Sequence, residues 1–316
     1  MGKRVLVTGS EGFVGGVLCP YLEAQGHEVL GCDLRIPEDT TGRKALDIND
    51  PSSIRDALEW ANPDVVYHLA AVTFVPDAMR DPLGVMETNF HGTIRLITEM
   101  KARCPDARLL FVSTSEAYGA PQRLPVTEDH PLNPDNPYAL SKASADHYCR
   151  YVVQSGELDI VRLRPFNHTG PGQSPDFVMP SFARQIAHME AGKAEPVLRV
   201  GNLEAARDFL HVNDVVRAYS MALSGCEAGE AYNICSGEAM PIQRALDALV
   251  SLSEVEVQVE IDPLRLRPVD VPEVCGSHQK FTDATGWHPE IPLRRLLKDL
   301  LESWRAQVRA EEGVAQ

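Results

Sequence analysis

Arg4-Val5-Leu6-Val7-Thr8-Gly9-Ser10-Glu11-Gly12-Phe13-Val14-Gly15 is the stretch that decides the fold. Arg4 to Thr8 is a short apolar run of the buried-strand kind, and three glycines follow at once as G-x-x-G-x-x-G. A helix is expected next, from Val17 to Gln25, with Gly26 as its stop. Glycine serves such a turn by allowing positive backbone angles and by letting a pyrophosphate approach the main chain. The helix behind it then offers its N-terminal amides to the anion. Three glycines in a loop are by themselves only a tight turn. Between a strand and a helix they read as a dinucleotide site, with Gly9, Gly12, Phe13 and Val14 against the cofactor.

The second strand, Glu28 to Cys32, leads into Asp33, where a dinucleotide-binding unit carries its ribose-binding acid. A carboxylate there accepts from ribose hydroxyls and repels a 2′-phosphate, which favours NAD(H). Arg35, two residues on, could pair with such a phosphate, so NADP(H) stays open. Asp50-Pro51 is an N-cap followed by proline at the first helical position, and that helix runs through Trp60. The strand Val65 to Ala71 follows, with small residues at its end. A helix is expected from Asn89 to Lys101, then a strand from Arg108 to Val112 ending in Ser113-Thr114-Ser115-Glu116. Strands and helices alternate with short connections, so the fold class expected is α/β, a Rossmann-type doubly wound parallel sheet. Ligands bind such sheets at the carboxyl ends of the strands, where the glycine turn, Asp33, Ala70–Ala71 and Thr114–Glu116 all fall.

Tyr138 and Lys142 in Asn136-Pro137-Tyr138-Ala139-Leu140-Ser141-Lys142 are one helical turn apart and can reach one point in space. An ammonium beside a phenol favours the phenolate, so Lys142 is expected to lower the Tyr138 pKa towards neutrality. Such a phenol can exchange a proton with a carbinol or carbonyl oxygen. Alone, the pair is an ordinary helix surface; the hydride carrier implied by the glycine turn gives it a chemical use.

The bulk properties narrow the setting. A length of 316 residues suits one large or two modest domains. A net charge of −15 argues against a nucleic-acid surface, though local arginines can still hold a phosphorylated ligand. The seven scattered cysteines lack C-x-x-C spacing, as expected of reduced thiols in a cytoplasmic protein. The ten histidines show no metal-binding pairs, so no metal site is expected. Lys3 to Val7 runs straight into a strand pattern without an apolar signal region, and no apolar run is long enough for a membrane span.

With the glycine turn, Thr114 and Tyr138-x-x-x-Lys142 in this order, the chain resembles the extended short-chain dehydrogenase/reductases of the nucleotide-sugar epimerase/dehydratase group over nearly its whole length. The resemblance implies Tyr138 as catalytic acid/base, Lys142 on the nicotinamide ribose, and Thr114 on the reacting sugar oxygen. It places Asp47 and Ile48 beside the adenine, and Leu69, Ala70, Ala71 and Asn89 along the cofactor. The second half, with Arg164 to Gln173, Val200 to Phe209 and Leu264 to Asp270, looks like the GDP-sugar branch. Dehydratases of GDP-mannose belong there; more similar still are reductases of GDP-4-keto-6-deoxy-mannose, which use NAD(P)H to make GDP-D-rhamnose. The resemblance then implies Asn167, Val178, Arg207 and Arg267 at the diphosphate and Asp270 near the guanine. Arginines suit bidentate phosphate contacts, and a carboxylate can take paired bonds from a guanine edge.

Glu116 departs from this pattern. It sits where the dehydratases keep the base that removes a C5 proton, so a 4,6-dehydratase is the first rival activity. A 4-epimerase recycling NAD(P) is the second, and a dinucleotide-binding redox sensor is the non-enzymatic alternative. Residues 1–166 are expected to form the cofactor domain, with 207–237 packing back onto it, and 167–316 a smaller α/β substrate domain. The resemblance also implies a homodimer through the helices that start near Asn89 and Tyr138.

Overall fold

The computed structural model describes residues 2–37, 40–265 and 271–314. The first half alternates β1 (Arg4–Thr8), α1 (Phe13–Ala24), β2 (Glu28–Asp33), β3 (Arg43–Ala45), α2 (Pro51–Ala61) and β4 (Val65–His68). It continues through α3 (Val75–Arg80), α4 (Pro82–Val85), α5 (Gly92–Arg103), β5 (Arg108–Val112), α6 (Pro137–Gln154) and β6 (Ile160–Pro165). Then come β7 (Asn167–Thr169), α7 (Val178–Glu190), β8 (Val197–Val200), β9 (Ala206–His211), α8 (Val212–Gly225) and β10 (Ala231–Ile234). The chain closes with β11 (Ala239–Pro241), α9 (Ile242–Val250), β12 (Gln258–Ile261), β13 (Glu273–Val274), α10 (Gln279–Thr285) and α11 (Leu293–Val314).

Seven strands form one sheet in the order β10-β6-β5-β4-β1-β2-β3, with every neighbouring pair parallel. This is the doubly wound sheet expected from the alternation of strands and helices. Side chains alternate across a strand, so β1 feeds two cores. Val5 and Val7 pack with Leu18 and Leu22 of α1 and Val216 and Tyr219 of α8. Leu6 faces the other way, with Ile54 and Leu58 of α2, Leu96 and Ile97 of α5, and Cys149 of α6. A third core joins α7, α9 and α11 around Leu198 and Val200. Beside it, β9 pairs with β11, β13 and β7 in a small sheet, and β12 pairs with β8. Within 207–237, β10 therefore lies in the large sheet and β9 in the small one. No helix among the described residues is long and apolar enough to cross a membrane.

Several boundaries differ from the sequence reading. The first helix starts at Phe13 rather than Val17, with Gly12 as its N-cap. The β4 ladder ends at His68 rather than Ala71, although the Leu69 amide still donates to the Thr8 carbonyl (3.1 Å). The helix expected from Asn89 starts at Pro82, capped by Asp81, and passes through a wide π turn over Met86–His91 before α5. Such turns are rare and concentrate at functional sites. Here the turn carries Asn89.

Candidate functional site

The glycine turn is built by close packing. Gly9 takes φ +77°, and a Cβ on it would lie 2.8 Å from the Ala70 nitrogen. One on Gly15 would lie 2.2 Å from the Gly9 carbonyl oxygen and 2.7 Å from Ser10 Cα. Gly12 caps α1 without a side-chain acceptor, so the first-turn amides of Phe13 and Val14 are presented as an anion cradle. That arrangement fits the pyrophosphate of a dinucleotide. Asp33 stands at the end of β2, its carboxylate accepting from the amides of Glu11 (3.1 Å) and Leu34 (2.8 Å). Arg35 is exposed beyond it. Asp47 is exposed and organises the turn before α2, accepting from the Asn49 amide (2.8 Å). Ile48 is only 5% exposed and packs on Gly92, so its side chain belongs to the core.

A chain of hydrogen bonds links β1, β4, the π turn and α6. The Thr93 hydroxyl donates to the Asn89 carbonyl (2.6 Å), so it accepts from His68 Nε2 (3.0 Å), and Thr8 Oγ1 lies 2.8 Å from His68 Nδ1. His68 is therefore the neutral Nε2–H tautomer. Burial, with the charge of Lys142, pushes its pKa down to about 3. The Asn89 amide group donates to the Val72 carbonyl (2.9 Å) and to Ser141 Oγ (3.0 Å), and its oxygen accepts from the Val72 amide (2.8 Å). Ser141 in turn donates to the Tyr138 carbonyl (2.7 Å). Asn89 thus ties the segment after Leu69-Ala70-Ala71 to the helix carrying Tyr138 and Lys142. Ser141 gave no signal in the sequence, because its role depends on a residue 52 positions away.

Thr114, Glu116, Tyr138 and Lys142 converge at the carboxyl edge of β5. Asn136 caps α6 by accepting from the Ala139 amide (2.9 Å), and its amide nitrogen donates to Glu116 Oε2 (3.2 Å). One residue thereby fixes both the helix start and the carboxylate. Tyr138 and Lys142 are both buried, at 8% and 3% exposure.

The expected coupling between them is not what the structure has. Burial first, and then the Glu116 charge, push the Tyr138 phenol above the ordinary tyrosine range, against the weaker opposing effect of the Thr114 hydroxyl. Lys142 is not among the groups that move it. The Lys142 ammonium sits 4.6 Å from the Phe111 ring centroid, and burial pushes its own pKa down to about 8. Tyr138 is accordingly a protonated phenol at neutral pH.

A family model for GDP-mannose 4,6 dehydratase matches residues 6–300. The chain belongs to the GDP-mannose 4,6 dehydratase family. It is 40% identical to the GDP-6-deoxy-D-mannose reductase of Pseudomonas aeruginosa, covering 98% of this chain and 100% of that one. A solved structure of RMD from Pseudomonas aeruginosa, complexed with NADPH, superposes with a TM-score of 0.86 at 38% identity, over 96% of this chain and 99% of that one. The UDP-glucose 4-epimerase of Thermus thermophilus, solved in complex with NAD, gives 0.83 at 29% identity, over 96% and 99%.

Of the expected substrate residues, the three that the structure describes lie on the small sheet and beside it. Asn167 on β7 is exposed and stands opposite Phe209, two residues from half-buried Arg207 on β9. Val178 opens α7. Arg267 and Asp270 lie outside the described residues. Two ring contacts that the sequence did not suggest join the first half of the chain to the second. Phe74, after β4, meets Phe177 edge-on at 5.6 Å, and Phe13 stacks with His168 at 6.1 Å. Among the described residues, no group of three His, Cys, Asp or Glu side chains could hold a metal ion.

Proposed function

We propose that the chain is an NAD(P)H-dependent reductase that converts GDP-4-keto-6-deoxy-mannose to GDP-D-rhamnose. The observation that carries this reading is 40% identity, end to end, to a GDP-6-deoxy-D-mannose reductase. Tyr138, held protonated by burial and by Glu116, delivers its proton to the C4 oxygen. Thr114 polarises that oxygen, and Lys142 holds the nicotinamide ribose. The bound reduced nicotinamide supplies the hydride. Gly9, Gly12, Phe13 and Val14 hold the pyrophosphate; Asp33, Arg35 and Asp47 face the adenosine; Leu69, Ala70, Ala71 and Asn89 line the rest. Asn167, Val178, Arg207, Arg267 and Asp270 take the GDP moiety.

Residues 1–166 make the cofactor domain in this reading, joined by α8 and β10, and the rest makes the substrate domain. All seven cysteines are free and six are buried, which supports a cytoplasmic setting. A homodimer pairing α5 and α6 of each copy completes the proposal.

The dehydratase reading rests on Glu116, whose carboxylate is fixed beside Tyr138 by Asn136. The two readings separate on Glu116→Gln. For a reductase, the variant keeps most of its turnover of the keto sugar. The alkaline limb of its kcat profile moves to lower pH, because the charge that raises Tyr138 is gone. Loss of nearly all activity, together with conversion of GDP-mannose by the wild type without added reductant, would instead establish the dehydratase.

A further inference from the structure

The adenosine end of the cofactor site holds an arginine, Arg43, that the sequence motifs do not mark. β3 pairs with β2 so that Arg43 stands opposite Gly31 and Ala45 opposite Asp33. Side chains two apart share a face of a sheet, so Arg43 and Asp33 point the same way. Gly31 makes this possible. A Cβ there would lie 2.5 Å from Arg43 Cδ and 2.7 Å from its Nε, so the arginine stem runs directly over the glycine. The guanidinium reaches the glycine turn, with Nε 3.5 Å from Glu11 and Nη2 3.7 Å from Glu23. Glu11 is the link to the ribose acid, since its own amide donates to Asp33 (3.1 Å).

Two carboxylates, Asp33 and Glu11, thus stand at the place where a 2′-phosphate would enter. By themselves they would exclude NADPH. The Arg43 contacts to Glu11 and Glu23 are long, and the carboxylates are half exposed to water, at 54% and 48%. Such pairs are weak. A phosphate offers the guanidinium paired, charge-assisted hydrogen bonds that are stronger. A 2′-phosphate is thus the stronger hydrogen-bonding partner for this guanidinium.

We propose that Arg43 recognises the 2′-phosphate of NADPH, with Glu11 as its exchangeable counter-ion. The inference rests on reading the glycine turn as the dinucleotide site, and it is independent of which sugar is reduced. The test is direct titration of NADPH, NADH, adenosine 2′,5′-bisphosphate and 5′-ADP into the wild type, Arg43→Gln, Arg43→Lys and Glu11→Gln, with no sugar present. Arg43→Gln is expected to raise the ratio of NADPH to NADH dissociation constants by about 10- to 100-fold, the usual worth of hydrogen bonds to charged groups. The bisphosphate-to-ADP ratio should follow it. Arg43→Lys, which keeps the charge without the fork, falls between, and Glu11→Gln lowers both ratios. Ratios unchanged in Arg43→Gln, or NADPH and NADH weakened equally as a merely structural arginine would give, overturn the proposal. So does a rise in the ratio for Glu11→Gln. Failure of every nucleotide to bind the wild type would strike the dinucleotide reading instead.

Discussion

Tyr138→Phe is expected to lower kcat for the keto sugar by roughly 100- to 10,000-fold, the range that a positioned general acid contributes. The nicotinamide dissociation constant should stay near the wild-type value, because only a hydroxyl is removed from a buried ring that keeps its packing with Ala78 and Val85. Burial and Glu116 hold the phenol above its ordinary range, so nearly every molecule carries the proton at neutral pH. Activity limited by this acid falls only on the alkaline side, and the fall lies above the usual tyrosine pKa. A variant with unchanged turnover would remove Tyr138 from the chemistry.

The second large effect concerns stability. Asp146 on α6 is fully buried between Arg162 (2.6 Å) and Arg164 (2.9 Å) of β6. Burial raises its pKa, but the paired guanidiniums overcome this and hold it at about 2. Arg164 continues the network, donating to the Tyr118 hydroxyl (2.8 Å), which donates to Asn233 on β10 (2.8 Å). Asp146→Ala leaves two buried arginines without their carboxylate. Removing one partner of a buried pair costs about 3–5 kcal/mol. For a chain of 316 residues the expected fall in Tm is roughly 4–8 °C. The folded pKa lies below the unfolded value of 3.8, so the stabilisation is present above about pH 4 and is lost as pH falls through about 2. A thermal midpoint within a degree or two of wild type, measured at neutral pH, would refute this account of the α6–β6 contact.

The glycine turn and the end of β2 were legible because local chemistry dictates them. Gly9 and Gly15 are required by contacts within their own turn and with the segment just after β4, and Asp33 follows from its place at a strand end. Tyr138 and Lys142 were legible as a pair, but the sign of the Tyr138 shift was not. It depends on burial and on Glu116, which is distant along the chain and brought close by the Asn136 cap. Lys142 looked like the obvious partner at helical spacing, yet its ammonium lies over Phe111. The Ile48 side chain, beside the adenine in the sequence reading, is buried in the core. Ser141, Arg43 and the Asp146 network were silent for one reason. Each acts through a side chain reached only when strands and helices are assembled.

The most direct measurement of the central claim is the stoichiometry of nicotinamide oxidation against GDP-sugar product. Wild-type protein is given GDP-4-keto-6-deoxy-mannose with NADPH, and the product is quantified by mass spectrometry and NMR. A reductase oxidises one reduced nicotinamide for each GDP-rhamnose formed and stops when either runs out. GDP-sugar conversion with no net oxidation of NADPH or NADH would contradict the account, because the site would then be recycling its cofactor as dehydratases and epimerases do.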